Sequence, residues 1–369
     1  MTTDSADLGE SDETSSDGFP PAERKVVTQS YDLSVQTLDE RWSSRDLILP
    51  DIQREYVWDN PRASRLVESL LLNIPIPVLY LAETTDGKWE IFDGHQRIRS
   101  VVRYLHNEFR LSRLSVLAEL NGLRFHQLPE REQRFLKSRM MRAVVIGEDS
   151  HPSMKFEIFE RLNTGAVVLN AQELRNSLYR GPFNDLLRDL AKNDVYRQAI
   201  GTRAPRKRMV DEEFALRFFA LADRVEAYKP PLKKFLNEYM RSVQDASETT
   251  IKGLRGRFFE TVAPIVEVWG ASAYRQTNRR GVATERAPNR ALFDAQMVAF
   301  DLVNDKERIP SMTKSIVREF ADLYEDEDFR SAVSLATGDR SRTLLRIRRS
   351  AEALQAAGLD VTIPPALLS

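Results

Sequence analysis

The chain has 369 residues, 42% of them hydrophobic and 30% charged, and no cysteine. This is the make-up of a soluble globular protein long enough for about two domains, and it excludes disulfides, thiolate nucleophiles, iron–sulfur clusters and cysteine-ligated zinc. Residues 1–23 carry seven acids and no base while the whole chain carries −1, so residues 24–369 carry +6, a mildly basic body that permits a nucleic-acid partner without establishing one.

In chain order, residues 1–29 form an acidic Ser/Thr/Asp/Gly-rich leader with little to bury, and are expected to be disordered. The leader lacks the basic flank and apolar run of a signal peptide. The longest strongly apolar stretch, Ile74–Ala82, holds two prolines and falls short of the ~20 residues a membrane helix needs. A cytoplasmic protein with no membrane partner is expected. Asn60 and Pro61 suit the start of a helix over Arg62–Leu72, with Leu66, Val67, Leu70 and Leu71 as its apolar stripe. Val78–Leu81 and Lys88–Phe92 around an Asp86-Gly87 turn predict a hairpin. Ile98, Val101, Val102 and Leu105 predict a helix after DGHQR, and Met140–Ile146 a further strand.

Beyond residue 150 the period becomes helical. Lys155–Leu162 is one helix, stopped by Asn163-Thr164-Gly165. Asn170 with Glu173 is a capping signature for Ala171–Arg180, ended by Gly181-Pro182. Further helices are predicted near Asp211–Ala222, Leu232–Gln244, Gly256–Val268, Arg290–Val303, Ser311–Leu323 and Arg342–Ala356. The reading is an α/β domain over 30–170 followed by an all-helical domain over 171–369.

The segment richest in chemistry is WEIFDGHQRIRSVVRYL, residues 89–105. A strand ends, the chain turns on Asp93-Gly94, and a helix begins, so the amides of Gly94, His95 and Gln96 point at whatever sits before the helix. Gly94 admits close approach of the backbone, Arg97 offers a bidentate contact to phosphate, and Asp93 is placed to hold Mg²⁺ bridging phosphate oxygens. A plain turn with an exposed helix start explains the same residues.

DGHQR at 93–97 resembles the DGQQR signature of the family containing the N-terminal domain of GmrSD-type modification-dependent restriction endonucleases. LPDIQREYVWD at 49–59 is similar to that family's first motif, and FEIFERLNTGAVVLNAQELRNSLYRGPF at 156–183 to its third. The family in turn resembles ParB and sulfiredoxin, whose pattern can be followed through Gln53-Arg54, Glu68-Ser69-Leu70 and Asp93–Arg97. His95 departs from the usual glutamine of the motif.

The resemblance implies a ParB/sulfiredoxin-like fold and a nucleoside triphosphate bound with Mg²⁺ at the turn. Gln53, Arg54, Gly94, Arg97, Glu160, Asn163 and Arg175 would contact the nucleotide, and Asp93 and Glu160 the metal. Asp93, His95, Gln96 and Arg97 are the catalytic candidates of an Mg-dependent NTPase. His95 could act as general base or as a hydrogen-bonder at the helix start. Tyr56 and Trp58 are read as packing residues beneath the loop. Salt bridges, helix capping and an ordinary helix end are the structural alternatives for Arg54, Arg175, Glu160 and Asn163.

All four histidines lie in residues 1–151, so an HNH nuclease module, which needs histidine, cannot lie in residues 152–369. Neither a Walker nor a Rossmann glycine motif occurs. Basic residues gather at Arg203, Arg206, Lys207 and Arg208; at Arg275, Arg279, Arg280, Arg286 and Arg290; and at Arg340, Arg342, Arg346, Arg348 and Arg349. Arg342, Arg346 and Arg349 share one helix face able to track a phosphate backbone.

The leading expectation is an NTP-binding and NTP-hydrolysing regulator of a DNA restriction or phage-defence system, with DNA and a separately encoded nuclease or effector as partners. Assembly of identical chains stays open. The alternatives are a nucleotide-gated nucleic-acid-binding module without turnover, or a ParB-like nuclease acting through Asp93 and a metal.

Overall fold

The computed structural model describes residues 23–49, 56–162 and 170–368, which divide after position 169 into two compact units. The first is a mixed sheet with helices. Its elements are β1 (Thr28–Ser34), α1 (Val35–Ser43), β2 (Leu47–Ile48), α2 (Asn60–Leu71), β3 (Leu79–Glu83), β4 (Trp89–Asp93), α3 (His95–Leu105), α4 (Glu130–Ser138), β5 (Met140–Ile146) and α5 (Pro152–Leu162). The strand order is β1-β5-β3-β4-β2. β1 pairs antiparallel with β5, β5 parallel with β3, β3 antiparallel with β4, and β4 parallel with β2.

The predicted hairpin is present as β3 and β4, and the predicted strand over Met140–Ile146 as β5. Leu79, Leu81 and Ile91 of the hairpin and Ala143 of β5 are fully buried. Ile98, Val101 and Val102 of α3 and Val67 and Leu70 of α2 belong to the same apolar cluster. α2 starts two residues before the expected Arg62, because Asp59, not Asn60, supplies the cap: its carboxylate accepts from the Arg62 amide at 2.9 Å. Thr28 and Gln29, read above as the end of the leader, open β1.

The second unit is helical: α6 (Ala171–Leu178), α7 (Pro182–Lys192), α8 (Asp194–Ile200), α9 (Val210–Arg224), α10 (Leu232–Val243), α11 (Glu248–Trp269), α12 (Arg290–Asp301), α13 (Ile309–Leu323), α14 (Glu327–Ser334), α15 (Arg340–Ala356) and α16 (Pro365–Leu368). The capping box at Asn170 and Glu173 forms as the spacing predicts, with bonds of 2.8 and 2.7 Å. α12 packs against α9, α11, α14 and α15, and every residue from Ala291 to Phe300 is buried.

That burial includes Asp294, which is 0% exposed. Its carboxylate takes a bidentate bond from Arg217 of α9, at 2.9 and 2.7 Å, and a third from Arg346 of α15 at 2.8 Å. A buried carboxylate needs such partners, since its charge has lost water. Three helices are thereby tied at one point. Among the described residues, no helix is long and apolar enough to cross a membrane.

Candidate functional site

The turn between β4 and α3 begins with a glycine for a steric reason. Gly94 has φ 101°, a left-handed conformation that side-chain-bearing residues rarely adopt, and a Cβ there would collide with Leu79 Cδ2. The backbone is thus pressed against β3 at the point where α3 begins. α1 and α2 are capped by Ser34 and Asp59, whereas the N-terminus of α3 has no side-chain cap. With no side chain capping it, the positive end of its dipole favours an anion.

Around this turn, each expected site residue has a definite position. Asp93 ends β4 with its side chain about half exposed (49%) and accepts from Arg97 Nη2 at 2.7 Å. Arg97 is largely buried and donates as well to the carbonyls of Pro77 and Val78. Burial lowers its pKa while Asp93 opposes the shift. Arg97 therefore fastens the turn to the proline-rich run before β3, whose carbonyls are held by this guanidinium. In this conformation it supplies part of the scaffold of the turn.

Gln96 does a similar job on the other side. Its side-chain carbonyl accepts from the amides of Val57 and Trp58 at 3.0 and 3.3 Å. Tyr56 OH lies 2.9 Å from Ser100 Oγ, and its ring sits under Arg103 and Arg99, at 4.4 and 5.5 Å. Trp58 packs beneath Arg62 at 4.6 Å and against the apolar core. The end of the first motif is thereby docked onto the helix of the second. Gln53 and Arg54 themselves lie outside the described residues.

His95 is 7% exposed, and its Nε2 has no hydrogen-bond partner among the described residues. Burial, with a smaller contribution from the Arg99 charge, pushes its pKa down to about 4. The imidazole is neutral at pH 7 and a weak base, which suits hydrogen bonding better than proton abstraction.

Phe92 stacks on Phe159 with ring centroids 3.4 Å apart. This contact joins the end of β4 to the end of α5, and the residue that follows each ring is a candidate acid, Asp93 or Glu160. Asn163 lies outside the described residues. Arg175 belongs to the helical unit. There it is 1% exposed and bonded to Asn237 at 2.7 Å, Gln172 at 3.1 Å and Glu213 at 3.4 Å. Desolvation lowers its pKa, opposed by the Glu213 charge. These contacts account for Arg175 as a structural residue of the helical core, and Glu173 caps its own helix.

Among the described residues, no group of three or more His, Asp or Glu side chains gathers to hold a metal. The half-exposed Asp93 fits a magnesium ion carried on phosphate oxygens, which needs only one or two protein carboxylates. It does not fit an all-protein metal cage.

The basic clusters differ from expectation. Arg346 is fully buried on Asp294, Arg342 donates to the Leu335 carbonyl at 2.7 Å, and Arg349 pairs with Asp326. The face predicted on α15 is thus largely spent on tertiary bonds. Arg275 is buried against four backbone carbonyls. Arg206 pairs with Asp211 at 2.5 Å, Arg208 with Glu173 at 3.3 Å and Arg279 with Asp322 at 2.7 Å. Arg203, Arg280 and Arg286 remain exposed.

Among curated proteins and among solved structures, none matches the chain. The family described as the N-terminal domain of the GmrSD restriction endonuclease matches residues 36–180. That span contains β2 to β5, the whole of the turn and α6. Residues 36–180 are thus similar to the N-terminal domain of GmrSD-type restriction endonucleases.

Proposed function

We propose that the GmrSD-type domain binds a nucleoside triphosphate with Mg²⁺ at the Asp93–Arg97 turn and hydrolyses it, so that nucleotide state governs the chain's part in DNA restriction or phage defence. The observation that carries this reading is the turn itself. It combines a helix N-terminus without a side-chain cap, a half-exposed carboxylate and a buried imidazole nitrogen without a partner. The family match to a restriction domain supports it.

In this reading the first amides of α3 bind a phosphate, and His95 offers its ring nitrogen to a ligand oxygen. Arg97 and Gln96 hold the turn and the adjoining 56–58 segment in place. Asp93, with Glu160 near the same strand end, would hold the magnesium, which supplies charge neutralisation on the phosphates when bound. DNA and a separately encoded effector remain the proposed partners.

A nucleotide-gated module without turnover is the second reading, favoured by the commitment of Arg97 to Asp93 and to two carbonyls. Phosphate release from wild type and Asp93→Asn, with Mg²⁺ and each common NTP, separates the two. Release by wild type that falls in Asp93→Asn at unchanged folding stability supports hydrolysis at the turn. Equal release from both proteins refutes it.

A further inference from the structure

Resting on the DNA-restriction reading above, we propose that a groove in the first unit, formed where the chain doubles back after α3, receives the sugar–phosphate backbone of duplex DNA. The Leu111 amide donates to the Leu123 carbonyl at 3.0 Å and the Gly122 amide to the Leu111 carbonyl at 2.8 Å. This doubling brings Arg110, Arg113 and Arg124 into the lining of one groove of about 620 Å³. Phe109 and Leu111, 2% and 1% exposed, anchor the loop in the apolar core.

The charge in this groove is unspent. Among the described residues, none of the three arginines makes an ion pair. Arg110 donates to the Gly122 carbonyl at 3.0 Å, Arg124 to the Asn107 carbonyl, and Arg113 has no side-chain bond. Glu108, the one carboxylate in the lining, is already paired with Arg103 at 2.9 Å. Glu119 lies on the same loop but outside the lining. In the helical unit, by contrast, Arg206, Arg208, Arg279, Arg346 and Arg349 of the basic clusters each pair with a carboxylate.

The shape and chemistry of the groove select the ligand. It is open, its aromatic residue is buried and so unavailable to stack on a base, and Ser112 adds a hydroxyl beside the cations. A repeating polyanion satisfies several separated guanidiniums at once and gains free energy from released counterions. Phosphate contact of this kind carries no sequence preference, so it would position the domain on DNA without reading modified bases.

The test is fluorescence anisotropy of a short random-sequence duplex against the full chain across a salt series. It compares wild type, Arg110→Gln/Arg113→Asn and the control Arg134→Gln. Asparagine is chosen because Arg113 has φ 56°, which asparagine tolerates. Removing two phosphate contacts should lower the slope of log affinity against log salt by about 1.8, on the order of fifty-fold weaker binding near 0.1 M salt. Arg134→Gln, an exposed arginine of α4, should bind like wild type.

Wild-type binding that the double variant leaves unchanged, or that Arg134→Gln weakens equally, overturns the groove while leaving the restriction reading in place. No duplex binding by wild type overturns both the groove and DNA as a direct partner. NTP-induced stabilisation, measured on the double variant, should equal that of wild type. Its loss would mean that the substitutions disturbed the fold at the turn, and the same series on Arg110→Lys/Arg113→Lys, which keeps the charge, should then restore DNA binding if the proposal holds and fail to restore it otherwise.

Discussion

Replacing His95 by glutamine, the residue usual at this place in the motif, should remove a pH dependence that the wild-type fold carries. The imidazole is 7% exposed and its pKa falls from 6.5 to about 4 in the folded chain. Between these values the unfolded chain binds the proton that the folded chain refuses. Stability from this group is complete above the unfolded value and is lost as pH falls toward the folded one. The loss amounts to roughly 2 kcal/mol at about pH 5 and ~3 kcal/mol below about pH 4. Urea unfolding of wild type and His95→Gln at about pH 8 and about pH 5 should therefore show wild type losing roughly 2 kcal/mol more than the variant. The chain has four histidines, so the imidazole resonance lost in the variant identifies His95 in a carbon-labelled NMR titration and should titrate near 4. Parallel stability profiles, or a His95 resonance titrating near 6.5, would refute the reasoning.

Three further substitutions probe the scaffold. Gly94→Ala should destabilise the first unit more than Gly87→Ala in thermal unfolding. Both glycines have positive φ, for which a Cβ costs ~1–2 kcal/mol, but only position 94 also meets Leu79, whereas position 87 faces open space. Asp294→Asn should cost about 3–5 kcal/mol in denaturant unfolding of the helical unit, because Arg217 and Arg346 would lose the buried carboxylate that both of them pair with. Asn170→Ala should cost about 1 kcal/mol through loss of the cap on α6.

What could be read from the sequence was local. The β3–β4 hairpin, α3, β5 and the Asn170–Glu173 capping box all carry their signals within a few residues. β1 was missed because TQSYDLS is largely polar and exposed, and α1 because VQTLDERWS buries only Val35 and Leu38. Gly181-Pro182 signals a stop, yet Pro182 also opens α7, where its missing N–H costs nothing. α11 begins eight residues before the expected start and continues through Gly253 and Gly256. The site divides in the same way. The turn and its glycine are legible, but the carbonyl partners of Arg97 lie 19 and 20 residues away and the amide partners of the Gln96 side chain 39 and 38 away. No local spacing encodes such bonds. The arginines of α15 mislead because Arg346 is buried and Arg342 and Arg349 are bonded to neighbouring elements.

Calorimetric titration of the full chain with each common NTP and Mg²⁺, beside Asp93→Asn, tests the central claim most directly. The account predicts saturable binding of at least one NTP to wild type, dependent on Mg²⁺ and weakened about tenfold or more in the variant, a loss of ~1.4 kcal/mol. Absence of binding by any NTP, or equal Mg²⁺-dependent affinity in both proteins, would contradict it.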